Sequence, residues 1–230
     1  MERDDALTRM REIQRIMERT TLCTLLPGPP SILGGALALV GCIVNFAVLG
    51  SLDFARTFAL PPRQQVALLA MWTGIAGVAV VVNFLLTARL AGRLGYDPLA
   101  RPMRLALLSL TPAMVVAVVL TVKLLLDADY LAVIRAAIGG EALAPTWEPG
   151  RGLQCIVPVW MMCYGLGVYS AGLFSLRAPR VLGLAFVGAG VLGLLLFPRY
   201  GLLLMALSFG LLHIVFGLVV IFKLQRGVAA

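Results

Sequence analysis

Long apolar runs alternate with short polar interruptions along almost the whole chain. Six runs stand out, at about 31–50, 65–88, 104–126, 154–176, 180–197 and 200–223. Each is near the roughly 20 residues that an α-helix needs to cross the hydrocarbon core of a bilayer. A helix satisfies its own backbone N–H and C=O groups there, where no water can. The pattern therefore predicts an all-α, polytopic membrane protein with six transmembrane helices. The fifth run is short, is bounded by Arg180 and by Pro198-Arg199, and predicts a tight helical hairpin with the sixth.

A different pattern precedes the first run. Leu7, Met10, Ile13 and Met17 recur at spacings of three and four, with Ile16 beside them. Arg3, Arg9, Arg11, Arg15 and Arg19 take much of the remaining surface, interleaved with Glu12 and Glu18. This predicts an N-terminal amphipathic helix over 5–25, lying in the headgroup plane or packed under the bundle. Pro27-Gly-Pro-Pro30 is expected to break it. The chain thus divides into a cytoplasmic amphipathic helix with a Pro-rich linker (1–30) and a six-helix transmembrane domain (31–230). The longest connection, an outer loop at 127–153, carries Asp127, Asp129, Glu141 and Glu148 with Tyr130 and Trp147. A loop of that length is more often functional or partner-facing than idle.

Charge gives orientation. With the N-terminus inside, the inner segments hold five, four, two and two Lys or Arg residues. The outer side holds six: Arg56, Arg63, Lys123, Arg135, Arg151 and Arg199. Short-loop bias of this kind favours both termini in the cytoplasm and an inner-membrane location in a bacterial cell. The first thirty residues lack a short apolar core with a small-residue cleavage site, so the first span is expected to direct insertion.

Composition agrees with the runs. Of 230 residues, 60% are hydrophobic and 13% charged, about half the charge content of soluble domains. The net charge is +8, but the basic residues gather at the ends of apolar runs. They point to anionic lipid headgroups as partners and away from nucleic acid. Cys23, Cys42, Cys155 and Cys163 form no CxxC pair and no zinc spacing, which argues against a disulfide framework.

Sliding the chain by 88 residues aligns the second span with the fourth. Trp72 meets Trp160, Gly77 meets Gly165, Val80 meets Val168, Leu85 meets Leu173 and Arg89 meets Arg177. With Leu94-Gly95 on Leu182-Gly183, seven of 31 positions are identical. Duplicated helical units, as in many transporters, are one reading. Shared membrane grammar, with Trp at one interface and Arg at the other, is the other.

Candidate chemistry is sparse. His213 is the single histidine and lies midway along the last run, where an ionisable group is a functional candidate by default. At helical offsets Ala206, Gly210, His213 and Gly217 share one narrow face, predicting close helix packing there. The imidazole could bond across helices, relay protons, or ligate heme or metal. A metal site needs three or four ligands, and no second histidine or intramembrane carboxylate is available. On the fourth run, Trp160, Cys163, Tyr164, Tyr169 and Ser170 could line a pocket for a lipid, quinone or pigment, or could simply pack. Asn45, Asn83 and Ser208 are expected to bond between helices. Pro112 and Pro158 are expected to kink the third and fourth spans. Gly188-Ala-Gly190-Val-Leu-Gly193 matches the dinucleotide fingerprint in letters only, since that fingerprint needs a strand, a turn and a helix start.

The stretches Arg11-Glu-Ile-Gln-Arg-Ile-Met-Glu-Arg-Thr20 and Ser208-Phe-Gly-Leu-Leu-His-Ile-Val-Phe-Gly217, with Trp160 and Tyr164-Gly165 between them, resemble an uncharacterised group of bacterial six-helix membrane proteins. The resemblance implies the fold and carries over no catalytic residue. The expectation is thus a non-catalytic accessory subunit or interaction protein, partnered by other membrane subunits or by itself, with no catalytic residue and no cofactor. The alternatives are a small transporter or hydrophobic-ligand binder around Tyr164 and His213, and a heme or redox protein through His213.

Overall fold

The computed structural model describes residues 28–93, 101–127, 151–173 and 177–228. The amphipathic helix expected over 5–25 and nearly all of the outer loop lie outside the described residues. Among the described residues there is no strand. Six helices are long and apolar enough to cross a membrane: Gly28–Leu49, Arg63–Arg89, Leu107–Asp127, Gly152–Gly172, Ala178–Leu196 and Pro198–Phe222. By length and composition this is a multi-pass membrane protein.

Local chemistry moves several boundaries. The first helix starts at Gly28, with Pro29 and Pro30 in its first turn. Proline is tolerated in a first turn because the N–H it lacks has no intrahelical partner there. The kink expected at Pro158 takes the form of a break. One helical turn ends at Gln154, Cys155 interrupts it, and the main helix of the fourth span begins at Ile156. Proline cannot bond the carbonyl four residues back, here Gln154, and its ring crowds that group. Pro112 sits inside a helix that runs unbroken from Arg101 to Asp127.

Two antiparallel helix pairs form the packed part, and glycine makes both possible. A Cβ at Gly35 would come within 2.6 Å of the Gly210 carbonyl oxygen, and one at Gly217 within 2.6 Å of the Gly28 carbonyl oxygen. The first and sixth spans therefore meet at glycines spaced seven apart on each. The fourth and fifth spans meet the same way: a Cβ at Gly165 would lie 2.7 Å from the Gly183 carbonyl oxygen, and one at Gly190 3.0 Å from that of Pro158. Small residues let helices approach to backbone contact, where dispersion and weak polar contacts replace the hydrophobic drive that lipid does not supply.

A folded loop closes one end of the bundle. Gly50 ends the first helix at φ +61°, a left-handed conformation suited to glycine, and its N–H bonds the Phe46 carbonyl. Asp53 then caps a 3₁₀ turn, Phe54–Ala59, by accepting from the Ala55 N–H at 3.0 Å. Phe54, Ala55 and Phe58 are buried and join the core with Leu153, Val157 and Leu202. The loop is tied to the sixth span by Leu202 N–H to the Leu52 carbonyl at 2.9 Å. A bond from Gln154 Nε2 to Asp53 Oδ2, also 2.9 Å, ties it to the fourth.

The second and third spans are different. Only 6% of each lies buried, against 56% for the fourth span and about a third for the first, fifth and sixth. The second leans on the first, where Trp72 and Ile75 touch Gly41. The third leans on the fourth, where Leu110 fits against Gly167.

Candidate functional site

The sixth span carries the centre of the site. Its helix runs from Gly201 to Met205, widens into a π-helical turn from Ala206 to Leu212, and resumes α-helical winding at His213. Turns of this type are rare and often mark functional positions. Gly210 and Gly217 face the first span, at Gly35 and Gly28. His213 instead faces the fourth and fifth. The single narrow face expected for Ala206, Gly210, His213 and Gly217 is therefore two faces, and Ala206 opens the π turn between them.

His213 is buried, and its Nε2 lies 2.7 Å from the Tyr164 hydroxyl. Its Nδ1 lies 3.4 Å from the Ser208 carbonyl oxygen, five residues back in the widened turn. Three aromatic rings enclose the imidazole. Phe186 stands edge-on to Tyr164 with centroids 4.9 Å apart and to His213 at 5.2 Å. Phe209 is 5.1 Å from Phe186 and lies nearly parallel to the imidazole, at 12°. These are the edge-to-face and offset arrangements that ring quadrupoles favour. Both ring nitrogens of His213 face a partner within the chain, so a role as heme ligand would first displace Tyr164 or Ser208.

The other fourth-span candidates point elsewhere. Trp160, one turn from Tyr164, donates its indole N–H to Thr121 Oγ1 of the third span at 2.8 Å. The Tyr169 backbone lies where a side chain at Gly183 would stand, in the joint with the fifth span. Ser170 is half-buried, and its carbonyl accepts from the Leu173 N–H. Cys163 is buried. Trp160 and Tyr164 thus bond to different neighbours. Ser208, expected to bond between helices, donates instead to the Leu204 carbonyl of its own helix at 2.6 Å. The glycines of the false fingerprint are helical. Gly190 packs on the fourth span and Gly193 on Leu204, while Gly188 has open space beside it.

A second buried polar group sits at the loop end. Asn45, fully buried, accepts the Trp72 indole N–H at 2.9 Å and donates to Thr57 Oγ1 at 3.4 Å. Gln65, also buried, donates to the carbonyls of Phe58 and Leu60 at 2.7 and 2.8 Å. Sequence reading found Asn45 but not Thr57, Gln65, Phe186 or Phe209. Phe209 had a signal, four residues before His213 and so one turn away. Thr57 and Gln65 had none, because their burial follows from the fold of the loop.

Among the described residues no three His, Cys, Asp or Glu side chains gather as a metal-holding group. A shallow, open apolar cavity of about 400 Å³ lies along one face of the third span, lined by Leu107, Leu110, Met114 and Val118 among others. No protein-family model, curated protein or solved structure matches this chain.

Proposed function

We propose that the chain is a non-catalytic subunit of a membrane assembly, and that the second and third spans form its partner face. The observation that carries this reading is their exposure: only 6% of each is buried, so most of their surface is open. Gly74 and Gly77 on the second span have nothing within 4 Å of an added Cβ, whereas most span glycines in the packed helices abut a neighbour. Small residues at such positions suit close approach by another helix. The partner is another membrane subunit or a second copy of this chain.

The His213 cluster, in this reading, holds the packed part together. A buried aromatic and hydrogen-bonded centre suits a rigid scaffold. The assembly lies in the inner membrane with both termini cytoplasmic, a reading supported by the basic-residue bias. Reporter fusions after Gly95 and Gly140 test the orientation, with signal expected at the first in the cytoplasm and silence at the second.

The function is tested by mild extraction from native membrane followed by native mass spectrometry. A larger complex is expected. Free monomer at every detergent strength would sink the proposal. A second reading, a binder of an apolar ligand, is favoured by the cavity along the third span; a lipid or pigment retained in place of a protein partner would support it.

A further inference from the structure

The π turn in the sixth span needs a physical cause. A helix winds through a wider turn only where its surroundings hold it there, because hydrogen-bond geometry and packing both favour the α form. The surroundings here make two demands. Gly210 and Gly217 face the first span at close range: a Cβ at Gly210 would lie 2.5 Å from Leu39, and one at Gly217 2.6 Å from the Gly28 carbonyl oxygen. His213 has to reach Tyr164, on the fourth span. In continuous α-helix, three residues on from Gly210 is about 60° short of a full turn. The wider winding turns His213 further from Gly210, while His213 and Gly217 keep the α-helical offset of four residues.

The contacts of the imidazole also fix its protons. The Ser208 carbonyl oxygen can only accept, so the bond to Nδ1 requires Nδ1 to carry the hydrogen. In the neutral ring Nε2 then offers a lone pair, and the Tyr164 hydroxyl donates to it. The Ser208 carbonyl lies within the π turn itself, five residues before His213. One side chain therefore joins the widened turn to the fourth span.

We propose that the sixth span is a two-register helix, and that the Tyr164 hydroxyl, donating to His213 Nε2, is the catch that holds it in the π register. Without the catch, 206–212 relaxes toward α winding. The half-span beyond His213 then turns relative to the half before it, and its glycine contact with the first span shifts. The device couples the fourth span to the first through the middle of the membrane. It stands independently of the assembly reading, since it needs no partner.

The single histidine makes the test clean. The full chain, labelled with ¹⁵N-histidine and ¹⁵N backbone amides, is placed in phosphatidylcholine nanodiscs and studied by NMR at neutral pH. Wild type should show the Nδ1–H tautomer with Nε2 accepting a hydrogen bond. The Nε2–H tautomer would overturn the proposal. Tyr164→Phe keeps the ring and removes only the donor. It should abolish the hydrogen-bond shift at Nε2 and move the amide signals of 206–212 toward α-helical values. Unchanged amide signals there, with the Nε2 bond gone, would show that Tyr164 is not the catch. If the phenylalanine variant fails to fold, deletion of the exposed Leu211 puts the question from the other side. A folded deletion variant with continuous α winding supports two registers; one that cannot fold overturns them.

Discussion

The second and fourth spans carry the same residues at Trp72 and Trp160 and at Gly77 and Gly165, yet 6% of one and 56% of the other is buried. The tryptophans behave alike: each donates its indole N–H to a polar side chain on the preceding span, Asn45 in one case and Thr121 in the other. The glycines do not. Gly165 lies in backbone contact with the fifth span, whereas Gly77 faces open space. Identical letters at the same spacing thus serve a finished helix joint in one place and an open surface in the other. What separates them is the neighbour. The fourth span is followed by a short connection that folds the fifth back upon it, and the second has no such return.

The sharpest way to break this contrast is to add one methyl to each glycine. Gly165→Ala forces a Cβ against the Gly183 carbonyl and the backbone of Val187, groups that cannot swing aside. It should cost about 1–3 kcal/mol, the usual range for overpacking, in reversible unfolding in mixed micelles. Gly77→Ala should leave the isolated chain unchanged or raise its stability by up to about 1 kcal/mol through helix propensity. Equal losses at both positions would erase the distinction between the two regions.

A smaller effect is expected where the two regions join. Asn45→Leu removes the acceptor for Trp72 and the donor to Thr57, and should cost about 0.5–2 kcal/mol as an interhelical polar contact in a bilayer. Trp72→Phe in the same background should then add little, because the bond it would break is already gone. Additive losses would mean that the Trp72–Asn45 bond contributes nothing.

At the centre of the packed region, His213→Leu should cost about 0.5–2 kcal/mol, and His213→Asn less, since a polar donor remains. Both are read by the same unfolding measurement, and indistinguishable losses would count against hydrogen bonding as the role of His213. Least of all should come from Lys123→Ala. Its i,i+4 pair with Asp127 is exposed at the end of the third span, and surface pairs of this kind contribute little. A clear loss of stability there would give the open region a structural weight that its exposure denies.

Much of the fold was legible in the sequence because bilayer thickness sets run length and backbone chemistry admits a helix. The six spans follow from that alone. The first helix begins three residues before the apolar run, because Pro29 and Pro30 are tolerated in a first turn. The loop at 50–61 was invisible: nothing in Phe54-Ala-Arg-Thr-Phe58 says that it turns inward until Asp53 caps it and Leu202 receives it. His213 and Tyr164 were legible as candidates, but their pairing was not. The face assigned by α-helical offsets grouped His213 with the glycines, whereas His213 meets the fourth and fifth spans and Gly210 and Gly217 meet the first, and no residue pattern announced the π turn before it. The separate partners of Trp160 and Tyr164 were not legible for a related reason. Two residues one turn apart can still serve different helices when three neighbours crowd the same span.

The partner face is tested most directly by photo-crosslinking in native membrane. A photoreactive amino acid is placed at Val80 on the second span, Val119 on the third, or Leu195 on the fifth, which are 69%, 59% and 71% exposed. If the second and third spans are the interface, Val80 and Val119 should each yield a protein adduct, while Leu195, equally exposed, yields lipid adducts only. Lipid adducts alone at all three positions would contradict it.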